Sequence, residues 1–411
     1  MKTPFRLPWR RADPARQPPS PTAPVLAAEQ KATVGMGSGF AFLSGEGGVH
    51  WSGRSYGALS RAGFMGNPVV YRALRMVAEA AASVPWLAYL GLREVAGHPA
   101  LLLLQRPNPR QSGPDFLEAL FGQLMLSGNA YVEALEIGGA LRELHLLRPD
   151  RVSVVAGADG WPLAYDYQVG SVRRRIAATG EASRDGAGGG QGGDAAQLLH
   201  LKLFHPLDDH CGFSPLSAAG AALDLHNAAA RWNKALLDNS ARPSGALVYQ
   251  PKEGGNLSAD QYERLRAELE QGYAGAVNAG RPLLLEGGLD WKAMGLSPKD
   301  MDFIEAKNAA ARDIALSLGV PPMLIGIPGD TTYANYQEAN RAFYRLTVVP
   351  LLTRTAASFS AWLSDHFDEG LRLEPDLDRV PGLAAERDAL WARVGAAAFL
   401  SDDEKREAVG Y

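Results

Sequence analysis

The sequence predicts an α+β protein, mixed in its first half and mainly helical in its second. Short apolar runs punctuated by Gly and Asn turns alternate with helical patterns as far as Phe204. From Ser214 onward helical spacing dominates, with Ser-Pro pairs at helix starts. Hydrophobic residues make up 46% and charged residues 21% of the 411 residues, which suits a folded chain with a sizeable core of two or three structural units.

Charge and cysteine content exclude several classes. There are 41 Lys+Arg against 45 Asp+Glu, net −4, so a basic phosphate-gripping binder is not the default. The single cysteine, Cys211, excludes an intrachain disulfide framework and multi-cysteine metal sites, and fits a reducing compartment. The longest apolar stretch, Met76–Leu92, contains Glu79, Pro85 and Gly91, and so reads as a buried helix running into a strand. Residues 1–37 carry Lys2, Arg6, Arg10 and Arg11, then a proline-rich run of Pro14, Pro18, Pro19, Pro21 and Pro24 with no apolar stretch after the basic residues. They read as a flexible basic arm, either a plain tail or one that touches a partner or nucleic acid.

Each element has a local reason. Asn67-Pro68 caps a helix to Ala82 with Val70, Leu74, Val77 and Ala81 on one face, stopped by Pro85 before the strand Trp86–Leu90. His98–Gln105 and Gly113–Leu126 are helices, the second opened by Ser112 and Pro114. Ala130–Ile137, the turn Gly138-Gly139 and Leu141–Leu147 form a hairpin, followed by strands Val152–Val155, Trp161–Val169 and Leu198–Phe204. The glycine-rich stretch 179–197 lacks large apolar residues and is expected to be a mobile loop; it has no G-x-x-x-x-G-K-[S/T] pattern. Leu216–Asn239 is a slender, alanine-rich helix, and Ala246–Gln250 a strand. Ser258-x-x-Gln261 is a capping box for the helix Ala259–Tyr273, and Pro282–Glu286 and Leu289–Met294 flank Gly287-Gly288 as a hairpin. A helix from Ser297-Pro298 to Leu318 ends at Gly319, before Val320-Pro321-Pro322. The loop Ile325–Tyr333 leads to a long helix, Asn335–Phe367, that Pro350 should kink. Ala384–Tyr411 is helical and charged.

Candidate chemistry is sparse. His200, His205, His210 and Cys211 lie close together with Asp208 and Asp209, but fit no structural-zinc spacing and read as packing and loop hydrogen bonding. Asp365, His366 and Asp368 read as a solvated helix end. H-E-x-x-H, G-x-S-x-G and G-x-G-x-x-G are absent, so no catalytic residue, metal or cofactor is expected. The order of elements carries more. Helices 216–239 and 299–318 side by side, with residues 243–295 projecting, would leave apolar flanks for identical neighbours in a ring to cover.

Several collinear motifs point the same way. They are Asn67-Pro68-Val69-Val70-Tyr71, Val84-Pro85-Trp86, His98-Pro99, Pro107-Asn108-Pro109, Gly128-Asn129-Ala130-Tyr131 and Leu147-Arg148-Pro149. Gly212-Phe213-Ser214-Pro215-Leu216, Arg242-Pro243-Ser244-Gly245, Leu285-Glu286-Gly287-Gly288-Leu289, Ser297-Pro298-Lys299-Asp300-Met301-Asp302-Phe303, Gly319-Val320-Pro321-Pro322 and Asn335-Tyr336-Gln337-Glu338 continue the series. With these in order over about residues 60–411, the sequence resembles the portal proteins of tailed phages, of the siphovirus type, a group that also serves gene transfer agents. The resemblance implies a dodecameric ring at one capsid vertex, admitting double-stranded DNA non-specifically. Its implied partners are the major capsid protein, the terminase large subunit and a head–tail connector, with no membrane and no enzymatic activity.

By that resemblance, an arm (1–37) precedes the wing (38–212), a stem helix (213–242), the clip (243–296), the second stem helix (297–320), a tunnel loop (321–334), a kinked wing helix (335–370) and a short crown (371–411). The tunnel-loop residues are Pro328, Gly329, Asp330, Thr331, Thr332 and Tyr333, small and polar enough to touch DNA without gripping it. Glu270, Arg281, Glu286, Gly287 and Gly288 are the expected docking positions in the clip. Residues 243–320 hold 8 basic and 11 acidic residues, a net −3 per chain that a ring multiplies. Asp300, Asp302, Glu305 and Asp313 are therefore expected to face the lumen and repel phosphate, favouring sliding over binding; solvated helix faces are the plain alternative. An oligomeric scaffold without DNA passage and, more remotely, a metal-dependent nuclease are the competing functions.

Overall fold

The computed structural model describes residues 53–158, 160–178, 197–238, 245–249, 289–293, 303–328, 332–368 and 370–410, with isolated positions between 258 and 267. A helical turn, α1 (Tyr56–Leu59), passes through a wide turn at Ser60–Phe64 into α2 (Pro68–Ala82). The first turn was not expected, because Arg61, Gly63 and Gly66 interrupt its pattern. Asn67 caps α2 as its sequence predicts, its side-chain oxygen accepting from the backbone N–H of Val69 (3.0 Å) and Val70 (3.2 Å). The apolar face of α2 (Val70, Leu74, Val77, Ala81) is buried against α4 (Gly113–Ser127). Phe116, Leu120 and Phe121 of α4 are wholly buried, and each such side chain contributes about 1.5–3 kcal/mol. Ser112 and Asp115 close a capping box at the start of α4.

Three small antiparallel sheets flank this helix pair. β1 (Trp86–Leu90) lies between β2 (Arg93–Glu94) and β11 (Leu371–Pro375). A short helix, α3 (Pro99–Gln105), follows β2. The central strand of the second sheet, β3 (Asn129–Ile137), lies between β4 (Ala140–Leu147) and β8 (Leu198–Lys202). Its hairpin turn is the expected Gly138-Gly139, both at positive φ. The third sheet orders β5 (Val152–Ala156), β6 (Pro162–Val169) and β7 (Val172–Ala177). The last strand was missed. Arg173-Arg174-Arg175 hides its alternation, although Gly170 at φ +60° makes the tight turn that announces it. Tyr131, Leu147, Leu198, Tyr165 and Ile176 fill the space between the second and third sheets.

In the second half, α5 (Pro215–Ala218) and α6 (Gly220–Asp238) replace the single helix expected from Leu216, because the backbone turns out of helical geometry at Ala219. β9 (Gly245–Tyr249) pairs antiparallel with β10 (Leu289–Ala293). The expected hairpin gave β10 a different partner, Pro282–Glu286, which lies outside the described residues. At the 258 capping box, the backbone N–H of Ser258 reaches Gln261 at 3.0 Å and that of Gln261 reaches the Ser258 hydroxyl at 3.3 Å. α7 (Phe303–Ser317) ends at Gly319, φ +68°, as the glycine signal predicts.

The long kinked helix divides into α8 (Tyr333–Phe343), a wide turn at Tyr344–Val348 and α9 (Val349–Ser364). Pro350 has no N–H to donate and its ring crowds the preceding turn. The widened turn just before it accommodates both defects. β11 was not expected as a strand; it follows the helix by a few residues and pairs Trp86–Leu90 with Pro375–Leu371. The stretch from residue 371, assigned by resemblance to the crown, thus begins inside the β1 sheet. The charged C-terminal segment is two helices, α10 (Ala384–Ala396) and α11 (Asp402–Val409), the second started by a Ser401–Glu404 capping box.

Candidate functional site

Helices α6 and α7 pack along each other as the sequence predicts. Leu216 and Leu223 on one side and Ile314 and Leu318 on the other are wholly buried in one cluster. Small residues at Ala219, Ala229, Ala310, Ala311 and Ala315 are buried too, which lets the backbones approach closely. The pair is pinned to the first half through Asn67. While its oxygen caps α2, its amide donates to Asn227 Oδ1 (2.8 Å) and contacts His226 Nδ1 (3.0 Å). Asn227 in turn donates to the Ala62 carbonyl at 2.8 Å. Burial, followed by the nearby Lys307, pushes the His226 pKa down, which keeps the ring neutral. Asn-Pro signalled the cap, but nothing local in sequence signalled this second role, because its partners are 159 and 160 residues away.

Of the four acidic residues expected at the lumen, Glu305 and Asp313 are both exposed on α7. Asp300 and Asp302 lie outside the described residues. The exposed surface of α7 is mixed rather than purely acidic: Ile304 is 70% and Leu316 76% exposed, and Arg312 also faces solvent. Glu270, Arg281, Glu286, Gly287 and Gly288 lie outside the described residues.

The expected tunnel loop is held at both ends. Ile327 is buried against Ala311 and Ala315 of α7. The Arg312 guanidinium donates to the Pro328 carbonyl. At the far side the Thr332 hydroxyl accepts from Asn335 N–H at 3.2 Å and caps α8. The helix therefore starts at Tyr333, two residues earlier than its pattern suggests, and Tyr333 belongs to it rather than to the loop. Gly329, Asp330 and Thr331 lie outside the described residues. Thr347, in the wide turn, donates to the Gly319 carbonyl at 2.6 Å and ties the end of α7 to the long helix. Arg312 and Thr347 were not singled out from sequence; both act on backbone carbonyls far along the chain.

Two motif glycines meet face to face just before α5. A Cβ on Gly212 would stand 2.0 Å from the Gly128 carbonyl oxygen, and one on Gly128 would stand 2.5 Å from the backbone of Phe213. No side chain fits at either position. Asn129 seals the joint: its oxygen accepts from Gly212 N–H (2.7 Å) and its amide donates to the Ser127 (3.0 Å) and Gly212 (3.3 Å) carbonyls. His200 donates to the same oxygen through Nε2 at 2.9 Å, which leaves Nδ1 to accept from Tyr165 at 3.4 Å. The His200 ring stacks on Tyr131 with centroids 4.3 Å apart. Burial, helped by Lys202 and His210, pushes the His200 pKa down to about 3, and burial pushes Tyr165 up to about 12.

His200 thus takes the packing and hydrogen-bonding role expected of it, and His205 Nδ1 accepts from Leu207 N–H at 3.1 Å, whereas the buried His210 Nδ1 has no hydrogen-bond partner among the described residues. Among the described residues no three His, Cys, Asp or Glu side chains are placed to share a metal ion. Among the same residues no helix is long and apolar enough to cross a membrane.

In the Asp365–Asp368 segment both aspartates are exposed, as a solvated helix end predicts, but His366 is not. The His366 side chain is 2% exposed, 3.4 Å from Glu136 of β3. His98 is equally buried. Its Nδ1 caps α3 by accepting from Ala100 N–H, and its Nε2 meets Asp368 at 3.0 Å. The end of α9 keeps its carboxylates in solvent while its histidine and His98 join distant segments. Other motifs have the same character. The Pro107 carbonyl accepts from Leu144 N–H at 2.7 Å, the Asn108 amide donates to the Leu144 carbonyl at 3.1 Å, and Trp86 meets Phe359 edge-on.

The chain belongs to the phage portal protein family, whose family model matches residues 68–410. It is 55% identical to a chain in the neck of a native gene transfer agent particle computed with C12 symmetry. That match covers 89% of this chain and 96% of the other, at a TM-score of 0.65. It is 27% identical over 348 residues to the probable portal protein of Streptomyces phage phiC31, covering 82% of this chain and 73% of that one. An HK97-family phage portal protein from Corynebacterium diphtheriae shares its fold at 16% identity and a TM-score of 0.55, over 83% of this chain and 99% of that chain.

Proposed function

We propose that this portal-family chain forms a ring of twelve copies at one vertex of a phage-like particle, with double-stranded DNA passing through its centre during packaging and release. The observation that carries this reading is the 55% identity, over nearly the whole chain, to a component of a particle neck computed with twelve-fold symmetry. The same relationship favours a gene-transfer-agent type of particle. The paired helices α6 and α7 suit the stem, because their buried faces mix alanines with a few large apolar residues while Leu225, Ile304 and Leu316 remain exposed for neighbours to cover. Glu305 and Asp313, with the acidic residues that precede them, would line the passage and keep phosphate from binding. Residues 243–296 would dock the packaging motor and the head–tail connector, and the sheets before residue 212 would meet the capsid shell.

Electron microscopy of the purified full-length chain tests this. The expected result is a ring with a central opening of about 20 Å or more, wide enough for a duplex. A compact monomer, or an oligomer closed at its axis, would overturn the proposal. A closed oligomer would favour the scaffold reading instead.

A further inference from the structure

Three side chains from distant parts of the chain lock together where α6 passes the start of α2, and the direction of every hydrogen bond among them is fixed. The Asn67 side-chain oxygen is committed to the backbone N–H groups of Val69 (3.0 Å) and Val70 (3.2 Å), which fixes the amide nitrogen on the other side. That nitrogen donates to Asn227 Oδ1 at 2.8 Å, and Asn227 therefore turns its own nitrogen to the Ala62 carbonyl, also at 2.8 Å. The second Asn67 amide hydrogen meets His226 Nδ1 at 3.0 Å. Nδ1 must accept, so the ring is neutral and carries its one proton on Nε2. Asn67 is 2% and His226 5% exposed, so a lost bond is not replaced by water unless the segments part.

A second proton on the ring would set an N–H against an amide –NH2 in a buried site. Turning the Asn67 amide over would relieve that clash, but it would strip α2 of its cap and Asn227 of its donor. The surrounding charges do not favour the proton either. From α7, Lys307 approaches the ring, while Glu305 is turned to solvent. α5 carries no charged residue, and Arg61 of the wide turn and Arg72 of α2 are exposed. On α6 itself Arg231 is exposed, and Asp224 is buried but stands two residues away, on a different face of the helix.

We propose that His226 is a proton-sensitive latch between the α6–α7 pair and the start of α2, closed while the ring is neutral and opened when it takes a second proton. The opened state takes that proton near the ordinary 6.5 of an imidazole, whereas burial, followed by Lys307, makes the closed state resist it. The latch is therefore fully closed above pH 6.5. Below that, opening becomes easier by up to about tenfold per pH unit, until the closed form itself titrates.

Amide hydrogen exchange of the full-length chain, corrected for its intrinsic pH dependence, reads the latch directly. Between pH 7.5 and 5, segments 62–70 and 223–230 are expected to lose about tenfold or more of their protection. His226→Gln keeps an acceptor for Asn67 without a titrating group, so the same segments should hold their protection across this range. Asn67→Asp keeps the cap but replaces the donor with a carboxylate that holds a protonated ring. The pH dependence should then reverse, with protection present below pH 6.5 and lost as pH rises through the raised His226 pKa. Protection of the unsubstituted chain that does not change between pH 7.5 and 5 would overturn the latch whatever the variants do. So would a decline that persists in His226→Gln, or an Asn67→Asp chain that still loosens on acidification. The latch belongs to the single chain, so its failure would leave the ring reading standing.

Discussion

Asn129 does more for this fold than its size suggests. It is 7% exposed, and its one amide group serves Ser127, Gly212 and His200. Asn129→Ala removes these bonds and leaves the Gly212 N–H without its acceptor in a buried site. The expected loss is about 2–4 kcal/mol, from roughly 1 kcal/mol per bond plus the desolvation of an orphaned donor, read by urea unfolding. His200 gives the same joint a pH dependence. Its folded pKa lies near 3, below its ordinary 6.5, so the unfolded chain binds the extra proton first. The stability of the neutral ring is therefore present above pH 6.5 and is lost as pH falls towards 3. Between pH 7.5 and 5 the expected decline from this residue is about 2 kcal/mol, at 1.36 kcal/mol per pH unit below 6.5. His200→Gln should flatten that part of the pH–stability profile; an unchanged slope would show that the imidazole does not set it.

Among elements, the wide turn at Tyr344–Val348 and the end of α7 are tied together by one side-chain bond. Thr347→Val keeps the side chain's shape and removes its bond to the Gly319 carbonyl. We expect a cost of about 1 kcal/mol in thermal unfolding, with little change in far-UV circular dichroism, because the loss is one side-chain bond and not a helix. Pro350 announced an irregularity from sequence, since no neighbour can restore its missing N–H. That it takes the form of a wide turn at Tyr344–Val348 was not legible, because it depends on how this stretch packs: Tyr344 closes in on Gly382 and Thr347 on Gly319. β7 and β11 were hidden for related reasons. Surface arginines break the alternation of β7, and five residues at 371–375 become a strand only because β1 stands beside them.

For the molecule as a whole, net charge −4 shows no reservoir of phosphate-binding residues, and Glu305 and Asp313 place acidic groups on the exposed surface of α7. If these line the passage, replacing both with lysine removes two negative and adds two positive charges per chain. Rings of that variant are expected to retain a short duplex at low salt and release it as salt rises, whereas unsubstituted rings retain none. Variant rings that fail to retain DNA at low salt would place these side chains away from the passage.

The helices, their caps, the first hairpin and the family motifs were readable in order along the chain. Each rests on spacing, a missing N–H or a capping oxygen, which are properties of neighbouring residues. The work those motifs perform was not readable. Gly128 against Gly212, Asn67 with Asn227, His98 with Asp368 and His366 with Glu136 join segments separated by tens to hundreds of positions. Local pattern says that a residue is unusual where it stands. Burial and partner choice say why, and both arise only once distant segments share a core that excludes water.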